Sequence, residues 1–481
     1  MGAIARVRRD RATAWAGLLG AAGACATGWA AAMAPGAALL AGVVFAVMLA
    51  VALYPPLAAY VLLATTPLLV GIDRGQAIPF LRPSEAVALI VAAALGARML
   101  ALVMTGRRLD LSLRLTRIDA AIIALAASSS VIPMMWMALR GRHITQDDVL
   151  YALVLWKFYA IFLIVRLSIR TERQVGQCIR VILAASALVA VIGILQAVGV
   201  GGVTSFLNQF YSPQGQGALT SGRASATMGS SFSVADVMTS CVAITVALIV
   251  RGNRHRLLLG GLAVLFVVAT LASGEFSAVV GLAVAGFSIG ILIRRFGQTL
   301  FASACAAALA IVLLQPVIEA RLQHIDPHSG LPSSWLDRVN NLKVFFLPQL
   351  TSDFNWVTGV RPTSQLPNPQ NVLGFVWIES GHVWLLWTGG IAMVLAFCAF
   401  VWVAMRTMGR IARARQDAIG VVAVASFTSL AAMTVLMTFD PHLTLRGAAD
   451  LNFSLLALAL TGWTAQRARA PAPSAAQAAE R

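Results

Sequence analysis

Several ionisable residues stand where apolar runs of the sequence end: Arg223, Asp236, Glu275, Arg338, Arg361, Glu379 and His382, with Arg140, Arg142 and His143 in a shorter loop. A carboxylate at such a boundary is costly to ionise in low dielectric, so its proton affinity rises toward the range useful to a general base. Arginines beside it carry planar forks that grip a phosphate or diphosphate through two parallel hydrogen bonds. Glu379 and His382 are three positions apart, one turn if a single helix carries both, and are the candidates for the chemistry. Arg223, Arg338, Arg361, Glu275, Arg140 and Arg142 are the candidates for holding substrate. The plainer reading stands beside this one: loops of any membrane protein carry such residues, solvated or paired.

Other chemistry finds no place. The sequence has no P-loop, HExxH, paired-cysteine motif, Asp-x-Asp pair or G-x-S-x-G elbow. No cofactor and no metal are expected. Five cysteines (Cys25, Cys178, Cys241, Cys305 and Cys398) lie in or beside apolar runs and read as small hydrophobes. Lys157 falls inside an apolar run, where a charge needs a partner, and Asp119 or Asp236 is expected to supply it. Trp377, Trp384 and Trp387 read as an interfacial aromatic belt in preference to a sugar-stacking platform.

The elements that must position these residues are membrane helices. Of 481 residues, 59% are hydrophobic and 11% charged, against about 25% charged in an average soluble domain. Apolar runs recur near 14–33, 37–53, 56–71, 85–105, 118–139, 148–168, 180–200, 231–250, 256–273, 276–293, 299–317, 375–404, 418–438 and 449–464. The expected fold is therefore all-α and polytopic, with about fourteen transmembrane helices. The Arg6–Arg11 stretch and the apolar run after it resemble a signal peptide but lack a cleavage site, so a retained first span is expected. Residues 1–464 form the membrane domain, and 465–481, rich in Ala, Pro and Arg, an expected disordered tail.

A formal charge of +17 would otherwise suggest nucleic acid, but the basic residues fall in short clusters between apolar runs. With the N-terminus inside, 24 of the 36 Lys and Arg lie on cytoplasmic segments, among them Arg107 and Arg108, Arg170 and Arg173, Arg294 and Arg295, and Arg410 and Arg413. Both termini are then cytoplasmic, and two larger segments, about 201–230 and 317–374, are external. Within the second, 331–348 reads as an amphipathic helix lying on the membrane.

Taken in order, several stretches resemble the bacterial O-antigen ligase and polysaccharide polymerase superfamily. They are Tyr54-Pro55-Pro56 with Leu81-Arg82-Pro83-Ser84-Glu85; the helix pair and basic connector of 156–196; RASATMGSSFSVADVMTS (223–240); DRVNNLKVFFLPQLTSDFNWVTGVRP (337–362); and ESGHVWLLWTGGIAMVL (379–395). The last is closest to the acidic-Ser-Gly-aromatic start of the polymerases, where ligases carry His-Asn. One departure is Ser273-Gly274-Glu275-Phe276, where the family has Ser-Arg.

The resemblance implies an inverting, metal-independent membrane glycosyltransferase. It would join units linked to a polyprenyl (undecaprenyl) diphosphate at the external face of the bacterial cytoplasmic membrane, in building cell-envelope polysaccharide. Glu379 would be the base, assisted by His382, with Arg223 and Arg338 as diphosphate anchors. Lipids, a flippase and a chain-length regulator are the partners implied, and no nucleic acid. The alternatives are a ligase with a different acceptor, a transporter or lipid flippase, and a non-catalytic scaffold.

Overall fold

A computed structural model of the chain describes residues 35–78, 81–106, 115–211, 223–293, 333–369 and 374–461, with the isolated positions 297, 315, 319, 328 and 330. The expected spans 14–33 and most of 299–317, the Arg6–Arg11 stretch, the tail and residues 331–332 lie outside the described residues.

In chain order the helices are α1 (Pro35–Leu53), α2 (Pro56–Leu69), α3 (Pro83–Met104), α4 (Arg117–Leu139), α5 (Gln146–Ala152), α6 (Val154–Ser168), α7 (Glu172–Ala197), α8 (Val203–Tyr211), α9 (Ser231–Val250), α10 (Arg256–Ala272), α11 (Phe276–Ile293) and α12 (Ser333–Asn341). After short helical turns to Thr358 come two three-residue strands, β1 (Gln365–Pro367) and β2 (Phe375–Trp377), then α13 (Gly381–Ala414), α14 (Ala418–Leu436) and α15 (Ala448–Ala459). Among the described residues eight helices are long and apolar enough to cross a membrane, counting α5 and α6 as one; α1, α2, α10 and α15 are apolar but shorter. Among the described residues the fold is all-α apart from the β1–β2 hairpin, and its long apolar helices suit a multi-pass membrane protein. Leu257 is 94% exposed and Trp402 67%, a surface that suits lipid and not water.

Local chemistry explains the helix starts. Thr116 with Asp119, Thr145 with Asp148 and Thr171 with Gln174 form reciprocal capping boxes at α4, α5 and α7. The box at Thr171 starts α7 eight residues before the apolar run expected at 180–200. The run expected from 375 to 404 is divided: 375–377 pair with 365–367 as antiparallel strands, and the helix begins at Gly381 behind the N-cap Ser380, whose hydroxyl accepts from the Val383 N–H. Of the last run, expected over 449–464, Ala448–Ala459 is helical, Leu460 and Thr461 form a turn, and 462–464 lie outside the described residues. The expected 331–348 helix is α12 with a π-helical turn, Leu342–Phe346, behind it.

Contacts divide the chain into two compact units. The first, residues 1–55 and 89–108, holds α1 and most of α3, with Arg98 donating to the Ala52 carbonyl. The second, residues 56–88 and 109–481, is built around α14, which packs on α7, α9, α11, α13 and α15. Its apolar window is 78% buried, the highest share among the eight. Trp384 and Trp387 of α13 belong to this core and not to an aromatic belt: both are buried, and the Trp387 indole donates to the Thr363 carbonyl at 2.8 Å.

Glycines let residues 357–360 approach α13. Gly390 breaks that helix at φ 62°, and a Cβ on it would strike the Val357 carbonyl. One on Gly359, at φ 85°, would come within 2.9 Å of the Gly389 nitrogen. The Val360 N–H donates to the Trp387 carbonyl at 2.7 Å.

Candidate functional site

Arg338, on α12, is the hub of the polar cluster. Its Nη1 donates to Asp440 Oδ2 at 2.8 Å and to the Phe439 carbonyl at 3.3 Å, and its Nε lies 3.6 Å from Glu379 Oε1. The guanidinium sits 5.6 Å from the Phe232 ring centre. Glu379 also accepts from Asn341 Nδ2 at 3.4 Å. Nearby, Arg223 Nη1 donates to Glu275 Oε1 at 3.1 Å, and the Ser231 hydroxyl donates to the same oxygen at 2.6 Å. Arg223, Glu275, Phe276, Ser277, Trp335, Arg338 and Phe439 line one cavity of about 40 Å³, room for a water or two but not for a sugar.

Behind Arg338 the singled-out Asp236 meets a residue that was not singled out, His442. His442 Nδ1 lies 2.7 Å from Asp236 Oδ2, the ring is 1% exposed, and its buried Nε2 has no hydrogen-bond partner among the described residues. Phe232 meets that ring edge-on. The turn between α14 and α15 thus brings both Asp440 and His442 to the cluster. Their sequence signal was present: Asp440-Pro441-His442 places two ionisable residues in a gap of ten residues between two apolar runs.

Carboxylates here outnumber the cations that face them, and burial makes each charge expensive. Burial pushes the Asp440 carboxyl up to about 6; Arg338 and His442 oppose this, while Glu379 and Glu275 add to it. Burial also raises Glu379 above the ordinary carboxylate range, against the pull of Arg338, Asn341 and Trp377. For His442 burial works against the charge, but the Asp236 carboxylate outweighs it and holds the imidazole above its usual value.

Of the residues singled out in sequence, Arg223, Glu275, Arg338 and Glu379 come together. His382 does not join them: it is exposed on the first turn of α13, and its backbone N–H donates to the Met437 carbonyl at 3.2 Å. Glu379 precedes the N-cap of that helix, so the one-turn spacing expected of the two does not apply.

Arg361, Arg140 and Arg142 serve elsewhere, as latches. Arg361 binds the fully buried Asp148 through Nη2 at 2.6 Å and Nε at 3.0 Å. Arg140 donates to the Asp353 carbonyl at 2.6 Å and to Asn355 Oδ1 at 3.2 Å, and Arg142 lies 3.8 Å from the Asp353 carboxylate. Lys157 pairs with Asp450 at 3.4 Å, not with Asp119 or Asp236; Asp119 is taken by Arg166 at 2.6 Å.

Comparison of the chain with protein-family models, with curated proteins and with solved structures finds no match.

Proposed function

We propose that this protein is a polymerase of lipid-linked glycans, working at the external face of the bacterial cytoplasmic membrane with about fourteen spans and both termini inside. The observation that carries the reading is the convergence of Arg223, Glu275, Arg338, Glu379 and Asp440 at the ends of membrane helices. The order of motifs shared with the O-antigen ligase and polymerase superfamily supports it. The acidic Glu379-Ser380 start favours a polymerase over a ligase.

In this reading an acceptor hydroxyl gives its proton to Glu379 as its oxygen attacks the anomeric carbon of the donor. The bond from that carbon to the diphosphate breaks on the opposite face, and polyprenyl diphosphate leaves with the electron pair. Negative charge grows on the leaving group, which Arg223 and Arg338 stabilise once it displaces Glu275 and Asp440 from them. The displacement has a use: the carboxylates hold both forks in place before substrate arrives, and Glu379, freed from Arg338, becomes a stronger base. No metal enters the scheme. A flippase supplying the lipid-linked units and a chain-length regulator are the partners it calls for.

Glu379→Gln keeps the shape but accepts no proton. It is expected to stop chain extension, a loss of about 10²–10⁴-fold, with normal protein in the membrane and unpolymerised lipid-linked units gathering outside. Full-length polymer made by an abundant Gln variant removes Glu379 from the role. Units trapped on the inner face would favour the flippase alternative.

A further inference from the structure

A second arginine cluster lies in the same compact unit, on residues that the proposed reaction does not use. Arg74 meets Glu85 through Nη2 at 3.0 Å and Nε at 3.3 Å. Arg82 Nη1 donates to the same Glu85 oxygen as Arg74 Nη2, at 3.2 Å. Asp73 Oδ1 lies between Arg82 Nε, at 3.6 Å, and Arg446 Nη1, at 3.0 Å. Three guanidinium groups therefore share two carboxylates in one continuous network.

The network is short of negative charge, and Arg82 feels the shortage. Among the described residues its buried Nε has no acceptor closer than Asp73 Oδ1, at 3.6 Å. Burial, followed by repulsion from Arg446 and Arg74, holds its guanidinium down to about 10, below the usual arginine value. Arg446 is 45% exposed and Arg74 29%, so both remain open to solvent. Three guanidinium groups on two carboxylates, with Arg74 and Arg446 open to solvent, leave positive charge that an anion can pair with.

Its place ties it to the first cluster. Arg446 stands six residues after Asp440 in the turn between α14 and α15. The Gly71 N–H donates to the Thr227 carbonyl at 3.0 Å, and a Cβ on Gly71 would strike the Thr227–Gly229 backbone. The turn carrying Asp73 and Arg74 is thus seated on the segment that begins at Arg223.

We infer that Arg74, Arg82 and Arg446 form a second anion site, which takes a phosphate or diphosphate group. Given the polymerase reading, on which this assignment rests, the group is the diphosphate of the acceptor lipid, while Arg223 and Arg338 hold that of the donor. Joining two lipid-linked units brings two diphosphates to one enzyme. Held on separate arginine sets at one end of the fold, they do not compete for the same cations.

Calorimetric titration of the full-length protein in zwitterionic nanodiscs with farnesyl diphosphate tests this without turnover. The wild type should bind two equivalents. Arg446→Gln should weaken one of them about 10-fold or more, and Arg223→Gln the other. Asp73→Asn, which removes a competing carboxylate, should tighten the first several-fold; this gain cannot come from misfolding. A single equivalent in the wild type, or two that Arg446→Gln and Asp73→Asn leave unchanged, overturns the second site. If phosphatidylglycerol in the disc, or inorganic diphosphate, displaces that equivalent as well as farnesyl diphosphate does, the acceptor assignment is wrong. Failure of the polymerase reading would instead show as full-length polymer in cells that lack the protein, an outcome independent of these titrations.

Discussion

Replacing Arg338 by Met should destabilise the protein in a way that depends on pH. Arg338 is the cation between Asp440, 7% exposed, and Glu379, 19% exposed. Asp440 already titrates near 6 in place of 3.8, which corresponds to about 3 kcal/mol against its ionised form. A carboxyl raised on folding binds its proton more tightly in the native state. It costs nothing below its unfolded value, and stability is lost as pH climbs from there through about 6. Removing Arg338 takes away the largest influence that lowers this value, so Asp440 rises further. Each further unit costs about 1.4 kcal/mol near pH 8 and almost nothing near pH 5. Breaking a buried pair typically costs about 3–5 kcal/mol; the loss should approach that figure near pH 8 and shrink near pH 5. Asp440→Asn on top of Arg338→Met should recover much of it. The assay is the thermal inactivation half-life of detergent-solubilised protein, since membrane proteins of this size seldom unfold reversibly. A loss equal at both pH values, or one that Asp440→Asn deepens, refutes the reasoning.

Arg361→Ala should leave Asp148 charged and unpaired in the interior, at about 3–5 kcal/mol. Arg361→Lys should recover only part of this, because a point charge replaces a two-pronged fork; half-lives of the solubilised variants measure both. Lys157→Met should destabilise by stranding Asp450, and Lys157→Met with Asp450→Asn should be more stable than the single change; the reverse order would show that the pair is incidental. An impermeant thiol reagent added from outside should label a cysteine at Ser352 and spare one at Thr171, and the opposite pattern would invert the membrane orientation.

Helices were legible in the sequence because length and apolarity alone define them. The apolar run at 231–250 matches α9 to the residue, while the 375–404 run misled because Phe375 to Trp377 are apolar for the sake of a strand. The site was legible by residue type and not by partnership. Arg223, Glu275, Arg338 and Glu379 each stood out at the end of an apolar run, yet so did Arg361, whose true partner Asp148 lies 213 positions away. Which carboxylate a guanidinium faces is decided by helix packing, and no local pattern records it. Asp440 and His442 sit in a gap of only ten residues between apolar runs, and their partners Arg338 and Asp236 lie more than a hundred positions away.

The glycine break in α13 has a consequence for how the protein meets its bilayer. A continuous helix of 34 residues would be about 51 Å long, against a hydrocarbon layer of about 30 Å. The break at Gly390 divides it into a stub, Gly381–Gly389, and a shaft of 24 residues from Ile391 to Ala414. Residues 357–360 lie against the break and bond to the stub, so the stub is registered against them and not against the shaft. The shaft packs on its own neighbours, Gly409 against Phe427 of α14 and Phe400 against Phe453 of α15, and they set its tilt. Glu379, just ahead of the stub, is thereby positioned by the segment that meets the break and not by the lie of the shaft.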